Sequence, residues 1–134
     1  QMTQLYKQFR CSIVAIEEVP MEEVHKYGVI AGETMKDGLF RITDMVEKPS
    51  ADKAPSNMAI IGRYILTPDI FGILAETSPG AGGEVQITDA LQVQAGKGAV
   101  IACRFRGRRF DCGSIDGFVA ATNFFYRRLV DSRE

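Results

Sequence analysis

The sequence contains no tryptophan and one histidine, and its longest apolar runs fall short of the roughly 20 residues that span a membrane. Its three cysteines, Cys11, Cys103 and Cys112, form neither a CxxC pair nor a Cys/His metal spacing. This pattern argues against a zinc site or a disulfide framework and is typical of the reducing cytoplasm. His25 has no evident partner for a nucleophilic or metal role, so we interpret it as a surface residue.

An excess of charge of one sign is also lacking. The 134 residues carry 16 Lys and Arg against 17 Asp and Glu, and the two signs are mixed along the chain. We therefore expect no nucleic acid and no membrane surface as a partner. The basic run within residues 104–109 is local, and we interpret it as a solvated strand face. Hydrophobic residues make up 46% of the chain, enough for the core of one domain.

Strands and helices alternate along the chain, which predicts a layered α/β domain. Apolar and β-branched runs predict strands at 12–19, 27–30, 39–47, 58–66, 99–105 and 108–111. Helical spacing and start signals predict helices at 2–10, 67–76 and 85–95, a helical turn at 21–26, and a final helix from Ile115 with Ser114 as its N-cap. The Lys-Asp-Gly turn at 36–38 predicts a hairpin between the second and third strands. Because the chain opens on Gln1 within a polar helix, we expect it to be part of a longer protein.

Two places on the second and third strands could bind a ligand. Gly28 enters an apolar strand, where glycine marks either turn geometry or a ligand lying against bare backbone. Glu47 and Lys48 end the third strand, and such a pair is common on a solvated surface. Alternatively, the carboxylate accepts sugar hydroxyls and the ammonium faces a phosphate. Because side chains alternate across a strand, both can serve one ligand only if the strand twists or bulges there, or if Lys48 reaches around.

A glycine-rich segment, residues 80–83, precedes the third helix. It matches neither the GxxxxGK[ST] nor the GxGxxG phosphate-binding template, so we favour a structural or lid role. Glu84 and Thr88 look like ordinary helix-entry chemistry.

Asp111 is predicted to end a strand just before a glycine turn into the final helix. A carboxylate there either holds Mg²⁺ against phosphates or caps the helix, and the local pattern supports both interpretations equally. Cys112 beside it is interpreted as a packing residue.

These places, in this order, resemble the C-terminal part of bacterial UTP–glucose-1-phosphate uridylyltransferases. The matching stretches are IEEVP at 16–20, KYGV at 26–29, DMVEKP at 44–49, APSNMAIIGRYILTPDIF at 54–71, PGAGGEVQITDAL at 79–91 and RFDCGSIDGF at 109–118. They cover most of residues 13–125. The combination of DMVEKP with APSN, GRY and LTP is more specific than sugar nucleotidyltransferases in general.

The resemblance implies the C-terminal portion of a Rossmann-like nucleotidyltransferase fold, with a mixed β-sheet flanked by helices and residues 1–134 as its sugar-phosphate-binding part. It implies a cytoplasmic enzyme, homo-oligomeric when full length, that uses Mg²⁺ to form UDP-glucose and pyrophosphate from UTP and glucose 1-phosphate. By motif, the backbone of Gly28 is expected to contact glucose and Glu47 to accept its hydroxyls. Lys48 is expected to contact the phosphate, and Asp111 to be one of two Mg²⁺ ligands. Lys48 and Asp111 are thus the expected catalytic residues.

Several features of the family are missing from these 134 residues: the glycine-rich GxGTR loop, the uridine-reading residues and the other metal-binding Asp. Ile115 stands where family members often have Lys. We therefore expect the chain to be inactive alone, and to self-associate if its strand at 58–66 is left with an open edge. Two alternatives stay open, namely a sugar-1-phosphate nucleotidyltransferase of other specificity and a non-catalytic sugar-phosphate-binding module.

Overall fold

The computed structural model describes residues 1–36, 38–80 and 83–132. Within this part the strands are β1 (Ser12–Glu18), β2 (Gly28–Lys36), β3 (Leu39–Glu47), β4 (Met58–Ile65) and β5 (Val100–Arg104). The helices are α1 (Met2–Phe9), α2 (Ile70–Glu76), α3 (Ile87–Gly96) and α4 (Ile115–Asp131), with a 3₁₀ helix at Met21–Lys26. The expected turn residue Asp37 lies outside the described residues.

The strands close into a ring in the order β1-β4-β2-β3-β5, with β5 returning to β1. The β1–β5 pair is parallel and the other four pairs are antiparallel, so the sheet is mixed as expected. The predicted β2–β3 hairpin is confirmed, although β2 runs six residues further than its apolar start. In its register Gly28 lies opposite Glu47, which brings together two of the residues singled out from the sequence.

The strand β1 lies at the centre of the core. Its first five residues are all buried, because both faces of the strand are covered. Val14 and Ile16 point to the face covered by α3, where they pack in one cluster with Leu91. Ile13 points to the opposite face, where it packs in a second cluster with Leu5 of α1. Each of these aliphatic side chains contributes roughly 1.5–3 kcal/mol by its burial.

A buried polar network ties β1 to the start of α2. Gln94 is fully buried, and its side-chain amide donates to Thr67 Oγ1 at 3.0 Å and to Asp69 Oδ2 at 2.9 Å. Ser12 Oγ donates to Gln94 Oε1 at 2.8 Å. Hydrogen bonds from Thr67 and Gln94 lower the pKa of Asp69. Because the Thr67 hydroxyl belongs to this network, it does not cap the helix as predicted, and α2 begins three residues later at Ile70.

One expectation about strands is wrong, because residues 108–111 do not form a strand. Side-chain contacts hold this segment: Arg108 stacks over Phe110 and Phe124, and Arg109 pairs with Glu17. The edge of β4 is partly covered, since β4 pairs with β1 but meets β2 at its first two residues only. Self-association through this strand stays a prediction.

The predicted final helix is confirmed, with Ser114 Oγ accepting a hydrogen bond from the Gly117 amide at 3.1 Å. However, α4 has no buried residue. Its large apolar side chains lie exposed, among them Ile115, Phe118, Val119, Phe125, Tyr126 and Leu129. The described helices do not combine the length and apolarity needed to cross a bilayer.

Candidate functional site

A cavity of about 270 Å³ opens where β2, β3 and β4 meet the start of α3. Its wall includes the bare backbone of Gly28, the carboxylate of Glu47, and side chains that the sequence did not single out as ligands: Tyr27, Tyr64, Gln86, Thr88 and Arg109. Apolar side chains such as Ile60 complete it. The cavity thus combines an apolar wall with a few convergent polar groups, as small-molecule sites do.

The carboxylate of Glu47 is held against the Gly28 backbone. Glu47 is only 23% exposed at its side chain, and Thr88 Oγ1 donates a hydrogen bond to its Oε2 at 2.6 Å. A Cβ at position 28 would lie 2.9 Å from that oxygen and 3.1 Å from Thr88 Oγ1. Gly28 does not have a positive φ, so turn geometry does not explain it. The close-approach interpretation is favoured, and the group that approaches within this chain is the carboxylate.

Lys48 is not part of the cavity wall, but an unusual backbone conformation brings its side chain near Glu47. Its φ is +45°, in the left-handed region that non-glycine residues rarely adopt, while its amide still donates to the Tyr27 carbonyl at 2.9 Å. This turn places the Lys48 ammonium 3.9 Å from Glu47 Oε1, instead of on the opposite face of the strand. Such strain is typical of positions where two adjacent side chains serve one site.

Two further groups give the cavity its electrostatic character. Burial, together with the negative charge of Glu47, raises the pKa of Tyr64 above its ordinary value, and the phenol is available as a hydrogen-bond donor. Burial of the Arg109 guanidinium lowers its pKa, but hydrogen bonds to Glu17 and Tyr27 outweigh this effect and raise it overall. Arg109 Nε donates to Glu17 Oε2 at 2.7 Å, and Nη2 donates to the Tyr27 hydroxyl at 3.2 Å. Arg109 is therefore a fixed cation rather than part of a solvated face.

Asp111 does not line this cavity. It lies in a neighbouring one of about 510 Å³, and Ile61 and Arg109 form part of the wall of both. Its Oδ1 accepts from the Gly113 amide at 3.0 Å, and its Oδ2 lies 4.0 Å from Arg109 Nη1. The N-cap of α4 is Ser114 instead, so capping does not account for the Asp111 carboxylate. Its Oδ2 stays accessible, since the side chain is 61% exposed.

The remaining candidates separate clearly. In the glycine-rich segment, the Gly80 amide donates to the Glu84 carbonyl and the Gly83 amide to the Gly80 carbonyl, which favours a structural role. Gly82 lies outside the described residues. His25 is exposed as expected, whereas Cys112 is exposed and is not a packing residue.

Sequence reasoning missed Thr88, Tyr64 and Arg109. Thr88 was expected to belong to helix-entry chemistry, yet its hydroxyl bonds 41 residues away, to Glu47. The only available signal was their presence in the resembling stretches: Tyr64 in GRY, Thr88 in EVQITDA and Arg109 in RFDCG. Among the residues that the structure describes, no cluster of three or more His, Cys, Asp or Glu side chains could hold a metal ion.

Comparisons with known proteins show which family the chain belongs to. The family model for nucleotidyl transferases matches residues 2–128. The chain belongs to the nucleotidyl transferase family. A UTP–glucose-1-phosphate uridylyltransferase of Pseudomonas aeruginosa (strain PAO1) is 64% identical over 129 residues, which are 96% of this chain and 46% of the relative. A second UTP–glucose-1-phosphate uridylyltransferase, from Bacillus subtilis (strain 168), is 43% identical over 134 residues, which are 100% of this chain and 46% of the relative.

A solved UDP-glucose pyrophosphorylase, in complex with UDP-glucose, matches the fold of this nucleotidyl transferase chain with a TM-score of 0.91 at 59% identity. The match covers 96% of this chain and 49% of the solved one. The resemblance found in the sequence and the expected fold class are therefore confirmed. The chain spans about half the length of the relatives it matches. Nucleotidyltransferases of this kind generally use a divalent metal.

Proposed function

We propose that this chain supplies the sugar-phosphate side of a uridylyltransferase site that forms UDP-glucose and pyrophosphate from UTP and glucose 1-phosphate. The observation that carries the proposal is the Glu47 carboxylate, fixed in a cavity beside the bare Gly28 backbone, with the Lys48 ammonium 3.9 Å from its Oε1. The relatives support it, since they are named UTP–glucose-1-phosphate uridylyltransferases and UDP-glucose pyrophosphorylases.

Each polar group has a role in this proposal. Glu47 Oε1 and the free lone pair of Oε2 accept two glucose hydroxyls, while the Gly28 backbone lets the sugar ring approach closely. The Tyr64 phenol donates to the sugar or its phosphate. Lys48 neutralises the phosphate that attacks the α-phosphorus of UTP in line, so that catalysis consists of positioning and charge neutralisation.

We propose Asp111 as a ligand of Mg²⁺. Its Oδ1 is occupied by the Gly113 amide, which leaves Oδ2 as the coordinating oxygen. One carboxylate together with substrate phosphates suits Mg²⁺, which keeps several waters and takes few protein ligands. When bound, the ion would neutralise charge on the triphosphate. Four further points stay predictions: Mg²⁺ as the ion, a homo-oligomeric full-length protein, a cytoplasmic location and the inactivity of residues 1–134 alone. Pyrophosphate release by residues 1–134 at the rate of the full-length gene product would contradict the predicted inactivity.

The test of the proposed function is Glu47→Gln in the full-length gene product. A carboxamide keeps the size of the side chain but replaces one acceptor with a donor, so one sugar hydroxyl loses its partner. We expect the KM for glucose 1-phosphate to rise about tenfold or more, while the KM for UTP stays within about twofold. Glu76→Gln, at an exposed position of α2, is the control and should change neither. Equal effects of Glu47→Gln on both substrates, or none, would contradict the proposal and favour another substrate or a non-catalytic module.

A further inference from the structure

One side-chain hydrogen bond in the cavity wall joins two elements that are distant in the sequence. Thr88, in the first turn of α3, is 3% exposed, and its Oγ1 donates to Glu47 Oε2 at the end of β3 at 2.6 Å. A hydroxyl–carboxylate bond of this length is charge-assisted and stronger than a neutral one. It makes a contact that the helix itself does not require.

Other threonines in helical segments of this chain behave differently. The Thr77 hydroxyl, at the end of α2, donates to the Ile73 carbonyl at 2.8 Å. The Thr122 hydroxyl in α4 donates to the Phe118 carbonyl at 2.9 Å. Both follow the usual habit of helical threonine, which bonds to the carbonyl four residues earlier. Thr88 lies in the first turn of α3, where the carbonyl four residues earlier is outside the helix, and its hydroxyl gives its proton to the Glu47 carboxylate.

Two contacts restrict the orientation of the Glu47 carboxylate. Thr88 Oγ1 fixes Oε2, and Lys48 Nζ lies 3.9 Å from Oε1. The space for both the carboxylate and the hydroxyl exists because Gly28 has no Cβ, which would lie 2.9 Å from Oε2 and 3.1 Å from Oγ1. Gly28 of β2, Glu47 of β3 and Thr88 of α3 are thus packed closely together, and we call these three residues the fitted group.

We propose that Thr88 is a positioning residue for the sugar-binding carboxylate, holding Glu47 in the orientation that meets the sugar hydroxyls. The inference rests on the proposed function, because it assigns Thr88 an action through Glu47. Without the hydroxyl, the carboxylate rotates among several orientations, and ordering it on binding weakens affinity for the sugar phosphate. Binding of UTP does not involve this carboxylate and should not depend on Thr88.

The experiment compares Thr88→Val with Thr88→Ser in the full-length gene product. Valine keeps the branched shape and removes the donor, whereas serine keeps the donor. We expect Thr88→Val to raise the KM for glucose 1-phosphate about ten- to hundredfold and to leave the KM for UTP unchanged. Thr88→Ser should restore the KM to within about threefold of the original. Thr77→Val is the matched control, since it removes a hydroxyl that bonds only within its own helix.

Thr88→Cys covers the case in which the valine variant does not fold, because a thiol is a weaker donor and should give an intermediate KM. A Thr88→Val protein that is less stable but has an unchanged KM for glucose 1-phosphate would overturn the inference and leave a structural role. Equal KM values for glucose 1-phosphate in the cysteine and serine variants would also overturn the inference.

A double variant separates this inference from the proposed function. In a Glu47→Gln background, Thr88→Val should have little further effect on the KM, because both changes act on the same carboxylate. If the two effects multiply instead, Thr88 does not act through Glu47 and the inference fails while the proposed function stands. If Glu47→Gln alone changes nothing, the proposed function fails, and this inference fails with it.

Discussion

The substitution Gly28→Ala tests the fitted group at its tightest point. The added methyl carbon would lie 2.9 Å from Glu47 Oε2, about half an ångström inside the 3.4 Å at which ordinary van der Waals contact begins. It would also lie 3.1 Å from Thr88 Oγ1. The carboxylate is the end of a flexible side chain and can move, but only by stretching or breaking its hydrogen bond to Thr88.

Two opposing terms set the stability of this variant. Complete loss of a hydrogen bond to a charged group destabilises a protein by roughly 1.5–3 kcal/mol, and weakening the bond costs part of that. Replacing glycine by alanine at a backbone conformation that alanine accepts restores about 0.4–1 kcal/mol by restricting the unfolded chain. We therefore expect a net loss of only about 1–2 kcal/mol in the free energy of unfolding.

Kinetics should respond more strongly than stability. The entropy gained by replacing glycine with alanine stabilises the fold, but it does not return a displaced carboxylate to its position. A displacement of about 1 Å at a positioning group can reduce the rate roughly a hundredfold, so we expect kcat/KM for glucose 1-phosphate to fall about tenfold or more. The assays are urea unfolding and initial rates with each substrate varied in turn. Gly72→Ala is the control, because position 72 of α2 is exposed and a Cβ there meets nothing within 4 Å; its free energy of unfolding should rise by about 0.5–1 kcal/mol with unchanged kinetics. An unchanged kcat/KM in Gly28→Ala would refute the close-packing argument.

The remaining predictions concern the other two site residues. Asp111→Asn keeps the size and removes the charge, so activity should fall roughly a hundredfold; full activity at ordinary Mg²⁺ would show that Asp111 is not a metal ligand. Lys48→Gly should relieve the left-handed backbone and raise the free energy of unfolding by about 1 kcal/mol, while the KM for glucose 1-phosphate rises about tenfold through loss of the ammonium. Arg10, also left-handed with φ +53°, ends α1 outside the site, so Arg10→Gly should give the same stabilisation without the kinetic change. A KM that is unaffected in Lys48→Gly would remove Lys48 from the phosphate site.

Local chemistry explains why most elements could be predicted from the sequence. The β-branched run that became β1 and the 39–47 strand needed only an apolar pattern, and Ser114 caps α4 as its residue type suggested. The failures have a different cause. Thr67 was a good N-cap by residue type but was drawn into a network with Gln94, 27 residues away. The strand predicted at 108–111 did not form, and Arg109 in this segment instead pairs with Glu17, 92 residues away. Local patterns contain no information about such partners.

The same distinction separates the parts of the candidate site. Glu47 and Lys48 could be found from adjacent charges at a strand end, but their joint use depends on a positive φ at Lys48, which no residue preference indicated. The contact between Thr88 and Glu47 spans 41 residues and required the packing of α3 against β3. Residues that make the site were therefore visible in the sequence, and the residues that orient them were not.

The two cavities differ in how firmly the residues of this chain hold their carboxylates. The Glu47 carboxylate is fixed by residues of β2, β3 and α3, so its orientation is set by the fold before any substrate arrives. Asp111 lies on an exposed irregular segment between β5 and α4, and its Oδ2 is 4.0 Å from the Arg109 guanidinium. Arg109 lines both cavities and is itself held by Glu17 and Tyr27, so it connects the exposed carboxylate to the sugar side. Sugar binding should accordingly depend on contacts within these 134 residues, whereas metal binding should depend on phosphates and further ligands brought to Asp111.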